Sequence, residues 1–204
     1  MRLKTLATHP VWREPRTVFG VWMLTGVIFA IVKVLIGKYN NYKIFEGVYW
    51  HAIEGLTLYG DHYPEYYDSN HYGILFSLII APFALLPEWL GIILWIAGNT
   101  ALLFYSRLPL SSTQKIIIYW YSYCELMTAQ GVQQFNISVA AFILLSFVLI
   151  LEKKDFWAAG IIMLGTFIKI YPIVGLAFFF FSRQKVRLLA SCLFWGLVCF
   201  VIPV

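Results

Sequence analysis

Residues 18–36 read VFGVWMLTGVIFAIVKVLI, an apolar run of 19 residues that carries a single charge. A helix needs about 20 such residues to cross the hydrocarbon core of a bilayer. Basic residues at positions 2, 4, 13 and 16 precede the run, and no small-residue cleavage site follows it. The pattern is typical of a signal anchor rather than a cleaved signal peptide, and the positive-inside rule predicts a cytoplasmic N-terminus.

The whole chain has the composition of a membrane protein. Of its residues 61% are hydrophobic and 12% are charged, whereas a soluble domain carries about 25% charged residues. The net charge of +5 does not indicate nucleic-acid binding, because the basic residues form short clusters beside apolar runs. We therefore predict an all-α, polytopic transmembrane protein whose partners include membrane lipids and no nucleic acid.

The organisation predicted from these features is one transmembrane domain, 1–204. It comprises a cytoplasmic N-terminus (1–17), a first span (18–36), an extracytoplasmic loop (38–71), and further spans and re-entrant segments (72–204). The chain ends in apolar sequence without a polar tail, which suggests the front part of a longer protein. The later apolar segments are Tyr72–Leu86, Trp89–Ser106, Ile116–Thr128, Ile137–Leu151, Phe156–Ile168, Ile173–Phe181 and Val186 to the end.

Several of these segments are too short to cross, which favours half-spans or re-entrant pairs. The basic residues place Arg107–Lys115, Lys153–Lys154 and the cluster at 183–187 inside. They place Gln130–Asn136 and the Lys169–Pro172 tip of a 156–181 hairpin outside. Two apolar segments then separate His71 from Arg107, where one net crossing is needed. Either Tyr72–Leu86 is re-entrant or one loop breaks the positive-inside rule.

The loop at 38–71 holds a concentration of reactive residue types. It contains five of the ten acidic residues, three of the four histidines and nine aromatic residues. Residues 41–56 within it predict an amphipathic helix lying along the membrane surface, with Phe45, Val48 and Tyr49 on its apolar face and Glu46 on the polar one. Such a loop can supply a carboxylate base, and aromatic rings that stack on sugars at the interface.

Other polar residues allow more than one interpretation. Lys169 lies in apolar sequence beside Pro172, where a cation is costly and indicates function unless it snorkels to the interface. Asn136 is well placed to cap the helix that starts near Ile137. The spacing of His62, Asp68 and His71 matches no standard metal site, so we predict no metal ligands. The sequence contains no nucleotide-binding P-loop, no dinucleotide-binding glycine motif and no zinc-protease motif.

Four stretches in order resemble one family. They are NNYKIFEGVYWHAIEGLTLY (40–59), HYGILFSLIIAPFALLP (71–87), VQQFN (132–136) and WAAGIIMLGTFIKIYP (157–172). Together they are similar to glycosyltransferase family 87, also described as domain of unknown function 2029. The resemblance implies the helical GT-C fold, a bacterial inner-membrane location, and an extracytoplasmic active site in the first loop. It also implies a polyprenyl-phosphate sugar donor, a lipid or glycan acceptor, and no cofactor or metal.

The resemblance also assigns residues. Lys169 and Tyr171 match the family's K-x-Y-P element and would bind the donor phosphate, and Gln134 and Asn136 match G-Q-x-N and would bind substrate, as would Tyr49. The family's catalytic acid falls on Asn41, and an asparagine cannot act as a base. The remaining catalytic candidates are therefore Glu46, Asp68 and His71.

The function predicted is transfer of a hexose, with mannose as one candidate, from a polyprenyl phosphate. Two alternatives stay open. One is a transporter or flippase of lipid-linked intermediates, for which ionisable residues spread among the spans would be expected. The other is a catalytically inactive membrane fragment, which the asparagine at position 41 favours.

Overall fold

The structure is a computed structural model that describes residues 9–203, and within that range the chain is helical and contains no strand. A short 3-10 turn, Pro10–Arg13, comes first. The α-helices are α1 (Pro15–Leu35), α2 (Asn40–Glu54), α3 (Phe76–Ala84), α4 (Glu88–Phe104), α5 (Ser112–Tyr121), α6 (Tyr123–Gly131), α7 (Asn136–Leu151), α8 (Asp155–Ile168) and α9 (Lys185–Val201). An 11-residue 3-10 segment, Tyr171–Phe181, lies between α8 and α9.

Helix α1 is the one helix in residues 9–203 that is long and apolar enough to cross a membrane. It begins at Pro15. Proline suits the first position of a helix because it has no N–H, and an N–H at this position would have no acceptor within the helix. Helix α1 packs closely against α4: a Cβ placed on Gly26 would lie 2.8 Å from Cγ2 of Ile96. The all-helical expectation is thus confirmed, whereas several membrane crossings remain a prediction. Part of the predicted cytoplasmic segment, residues 1–8, lies outside the described range.

The bundle has two distinct ends. At one end, which we name the loop end, Asn41 donates a hydrogen bond to the Val132 carbonyl and Lys169 donates one to Asn136. At the other end, Arg107 lies 4.0 Å from Glu152. The three segments predicted to lie outside are therefore grouped together, away from the turns at 107 and 152. Which end faces the cytoplasm remains a prediction from the charges.

The geometry of α3 bears on the two apolar segments between His71 and Arg107, where the predicted topology needs one net crossing. At one end of α3, Phe76 lies against Phe45 of α2, with ring centroids 5.1 Å apart. At its other end, the Phe83 carbonyl accepts a hydrogen bond from Tyr42, also on α2. Helix α3 therefore runs beside α2 and stays at the loop end. Helix α4 then makes the single passage to the other end.

The helix predicted at residues 41–56 is confirmed as α2, which ends at Glu54, two residues before the predicted end. Gly55 stops it with a left-handed backbone at φ 70°, a conformation that glycine adopts without a steric penalty. The apolar face is covered by the protein's own aromatic rings, since Phe45 packs on Tyr72, Phe76 and Trp95. This packing fixes α2 to the bundle, and its contact with a membrane surface remains a prediction.

Two local details shape the rest of the chain. The apolar run at 116–128, expected to be one segment, is two helices that meet at Ser122, whose hydroxyl donates to the Ile118 carbonyl; side-chain bonds of this kind bend helices. The predicted hairpin turns at Lys169, because Gly165 approaches Pro172 while Gly175 approaches Ile162. That turn brings Lys169 to the loop end.

Candidate functional site

The ammonium group of Lys169 is the centre of a polar cluster at the loop end. Its Nζ donates to Oδ1 of Asn136 at 2.9 Å and lies 3.5 Å from the Tyr72 hydroxyl. The rings of Tyr72 and Tyr171 lie 5.0 and 5.3 Å from the same nitrogen, within the range of cation–π attraction. Asn136 also donates to Oε1 of Gln134 at 2.9 Å. We name these five residues the Lys169 site.

Lys169 forms no ion pair with another of the residues that the structure describes. Among residues 9–203, none of the ion pairs includes it. Burial lowers the pKa of Lys169 from its usual value, because a desolvated ammonium loses the stabilisation that water gives its charge. A partly buried cation that meets only neutral groups is suited to receive an anion from outside the chain.

Asn136 does not have the capping role expected from the sequence. It is the first residue of α7 and follows the N-cap, Phe135, which forms no side-chain cap bond. The amide of Asn136 instead bonds to Lys169 and Gln134. The helix start therefore keeps backbone N–H groups without a side-chain cap, and the positive end of its dipole lies beside the lysine.

A tight turn places Tyr72 against Lys169. The buried side chain of Asn70 accepts from the Tyr72 N–H and donates to the Tyr72 carbonyl, both at 2.9 Å. Gly73 then donates its N–H to the Ile168 carbonyl at 2.9 Å, and a Cβ at this glycine would lie 2.0 Å from the Phe167 carbonyl oxygen. Only glycine fits that approach. Tyr72 and Asn70 were not singled out from the sequence, although glycine in the HYG stretch (71–73) was a usable signal for a close backbone contact.

An apolar cavity of about 350 Å³ opens next to the Lys169 site. Gln134 and Asn136 belong to its wall, and Glu125 also lines it. Its other lining side chains are largely aliphatic and aromatic, contributed by α1, by the helices from α4 to α7 and by the turn after α4: Trp22, Leu103, Leu108, Ile118, Tyr119, Leu126, Ile137 and Leu144. The Lys169 site and this apolar cavity are thus joined through two shared side chains.

The start of α2 carries a second polar group of residues. Asn41 donates to the Val132 carbonyl at 2.7 Å, so it joins α2 to the segment that leads into Gln134. Asn40 holds Tyr67 by both backbone groups: its Oδ1 accepts from the N–H at 2.8 Å and its Nδ2 donates to the carbonyl at 2.6 Å. This clamp sets the position of the next residue, Asp68, which is exposed and has a left-handed backbone at φ 76°.

A cleft of about 460 Å³ lies at the same place. Asn40, Asn41, Val132 and Gln133 form part of its wall, together with Pro64 to Tyr67 and three lysines, Lys33, Lys38 and Lys43. The lysines give the cleft a positive field. Such a field favours a negatively charged ligand.

The other predicted residues are less closely associated with Lys169. Glu46 is partly buried on α2, and burial, together with the nearby charge of Glu88, raises its pKa to about 7. His71 is exposed and lies between Asn70 and Tyr72 in the turn described above. Tyr49 is half-buried with its ring centroid 5.1 Å from that of Trp50. The structure thus brings together Gln134, Asn136, Lys169 and Tyr171, and it places Asn41 and Asp68 at the adjacent start of α2.

Comparison with known proteins identifies the family. The family model of glycosyltransferase family 87 matches residues 70–204, which is more than half of the chain. The protein therefore belongs to glycosyltransferase family 87, and the resemblance seen in the sequence is confirmed. The matched range includes every residue of the Lys169 site and leaves out α2. No curated protein matches the chain, and no solved structure does.

Proposed function

We propose that this chain binds a polyprenyl-phosphate hexose in the Lys169 site and its apolar cavity, and transfers the hexose to a lipid or glycan acceptor on the extracytoplasmic side of a membrane. Family membership supports glycosyl transfer, and the identity of the donor is our inference. One observation carries it: Asn136 bonds to the ammonium of Lys169 and also lines the apolar cavity. A phosphate at the lysine would therefore have space for an isoprenoid chain directly beside it.

The chemistry of the donor site follows from its charges. The ammonium of Lys169 and the uncapped start of α7 both favour an anion at this position. In the transfer, the bond between the anomeric carbon and the phosphate oxygen breaks, and the phosphate leaves with the electron pair. Lys169 stabilises the negative charge that develops on the departing phosphate.

Asp68 is the base that we assign to the acceptor side. The Asn40 clamp on Tyr67 holds this carboxylate close to the position where the family's acid is replaced by Asn41. The acceptor approaches through the lysine-lined cleft, and its hydroxyl proton passes to Asp68 as its oxygen bonds to the anomeric carbon. Asn41 then has a positioning role, because its amide donates to the Val132 carbonyl.

Replacement of Lys169 tests the donor assignment. Membrane vesicles that contain the full chain are supplied with a radiolabelled polyprenyl-phosphate hexose, and both transfer and binding are measured. We expect Lys169→Ala to lower turnover by roughly 100-fold or more, the usual cost of removing one such charge stabiliser, and Lys169→Arg to keep part of it. Lys115→Ala, on α5, is the matched control. Equal turnover and binding in Lys169→Ala and in the unmodified chain would exclude this role for Lys169.

The same vesicles separate transfer from transport. Labelled donor that reaches the opposite leaflet without loss of its hexose would support the flippase alternative. Label found in a new glycan or glycolipid supports the transferase.

A further inference from the structure

Three side chains that the sequence does not group meet at the C-terminal end of α2. His51 lies in the last turn of α2, whereas His62 and Glu65 belong to the loop that follows. One donor atom from each of the three residues lies within 4.8 Å of the others. Nε2 of His51 is 3.1 Å from Oε2 of Glu65, and the two imidazole rings are stacked with centroids 3.9 Å apart.

The hydrogen bonds around His62 leave one of its nitrogens free for a ligand. Its Nε2 lies 2.9 Å from the Thr57 carbonyl oxygen, which can only accept a hydrogen bond. Nε2 therefore carries the hydrogen, and in the neutral ring Nδ1 keeps an unshared electron pair. A bond from the second ring nitrogen to a backbone carbonyl is the usual support of a metal-binding histidine.

His51 provides a second and independent observation. It is 4% exposed, and its Nδ1 has no hydrogen-bond partner within the described part of the chain. A buried polar atom without a partner destabilises the folded chain. A buried imidazole with a free nitrogen, stacked on a second imidazole and touching a carboxylate, has donor capacity that the protein itself does not use.

We propose that His51, His62 and Glu65 bind a zinc ion, which fastens the loop after α2 to the end of that helix. Two imidazoles and one carboxylate form a mixed nitrogen and oxygen donor set, which suits Zn²⁺, whereas Mg²⁺ and Ca²⁺ prefer oxygen donors alone. Donor atoms around a tetrahedral zinc ion, at bonds of about 2.0–2.1 Å, lie roughly 3.3 Å apart. The donor atoms of the three residues lie within 4.8 Å of one another, so a relative movement of roughly 1.5 Å at most would bring any two of them to that spacing.

The zinc site lies at the opposite end of α2 from Asn41. His51 is ten residues from Asn41 on the same helix, which is about 15 Å at 1.5 Å per residue. The loop that it fastens includes Glu65 and Tyr66, directly before the residue that Asn40 clamps. The ion thus has a structural role in holding this loop, and the inference does not depend on the proposed sugar transfer.

Zinc binding can be measured on the full chain purified with an affinity tag that contains no histidine. The protein is stripped with EDTA, incubated with zinc, passed over a desalting column, and analysed by mass spectrometry for metal. We expect about one zinc ion per chain. The same protein loaded with Co²⁺ should show the visible absorption bands of a four-coordinate ion.

Matched variants assign the ligands. His62→Ala and Glu65→Gln change residues that are not fully buried and should weaken zinc binding by at least roughly 10–100-fold, the loss seen even for supporting residues. His9→Ala and Glu54→Gln, at a histidine and a glutamate outside the cluster, should bind zinc as the unmodified chain does. Limited proteolysis should cut residues 55–70 faster in EDTA than in zinc.

Two results would overturn the proposal. One is a stripped chain that retains no zinc after the column. The other is one zinc ion per chain that binds with unchanged affinity in both His62→Ala and Glu65→Gln, since the ion would then lie elsewhere.

Discussion

Asn40 and Tyr67 are joined by two hydrogen bonds, one to each backbone polar group of Tyr67, at 2.8 and 2.6 Å. The pair connects the first turn of α2 to a loop residue 27 positions later. It therefore holds the backbone that leads into Asp68 near the start of α2, although nothing in the local sequence pattern relates the two segments.

Asp68→Asn should abolish most of the turnover and leave donor binding intact. Asparagine tolerates the left-handed backbone at this position as aspartate does, so the change removes the base and keeps the loop. General-base catalysis contributes typically 10²–10⁴-fold, and a loss of about that size is expected in kcat. The control is Asp61→Asn in the same loop. Full activity in Asp68→Asn would assign the proton transfer to another group, with Glu46 as the first to test.

Asn136→Ala should weaken binding of the donor more than it slows the chemical step. The amide orients Lys169 and lines the apolar cavity. Its loss therefore leaves the ammonium without this hydrogen bond and widens the cavity. A hydrogen bond to a charged group contributes about 1.5–3 kcal/mol, which corresponds to a loss of roughly 10- to 100-fold in affinity. Binding of polyprenyl phosphate is measured in detergent by titration. The prediction fails if affinity is unchanged while kcat falls.

Gly73→Ala should destabilise the protein and disturb the Lys169 site together. Its Cβ would lie 2.0 Å from the Phe167 carbonyl oxygen, so the backbone beside Ile168 and Lys169 must shift. Overpacking of this kind costs about 1–3 kcal/mol. Gly20→Ala, in the interior of α1 with no atom within 4 Å of the new Cβ, should instead be neutral or slightly stabilising. Thermal unfolding of both variants in one detergent makes the comparison, and equal melting temperatures would contradict it.

Glu46 should make the stability of the protein fall as pH rises from about 4.5 to about 7. Its pKa is raised from 4.5 to about 7 by burial and by Glu88, so in this window the folded chain binds a proton that the unfolded chain has lost. Glu46→Gln removes this effect. The variant should match the unmodified chain near pH 5 and exceed it at pH 8 by about 1–2 kcal/mol, a value reduced for partial solvent exposure.

The melting temperatures of Glu46→Gln and of the unmodified chain are measured at pH 5, 6, 7 and 8. We expect the variant to melt a few degrees higher than the unmodified chain at pH 8. Glu54→Gln, at the exposed end of the same helix, is the control. A pH dependence that is the same with and without Glu46 would refute the assignment.

The sequence was informative where one segment contains the whole signal. The length and apolar character of residues 18–36 predict α1, which the structure contains. A functional role for Lys169, inferred from a lysine in apolar sequence, stays a prediction. The errors arise where distant contacts decide the structure. Asn136 was expected to cap its own helix, but its amide bonds to a lysine 33 residues away. The grouping of His51 with His62 and Glu65 likewise depends on how the loop folds back on α2, which residue spacing does not encode.

The hydrogen bond from Gly73 to Ile168 has a thermodynamic consequence for the two halves of the molecule. Residues 70–73 end the loop that follows α2, and through this bond they also support the backbone next to Lys169. We therefore expect a ligand that changes the conformation of that loop to change the affinity of the Lys169 site for its donor as well. Linkage is reciprocal: whatever factor the loop ligand applies to donor affinity, the donor applies to the loop ligand.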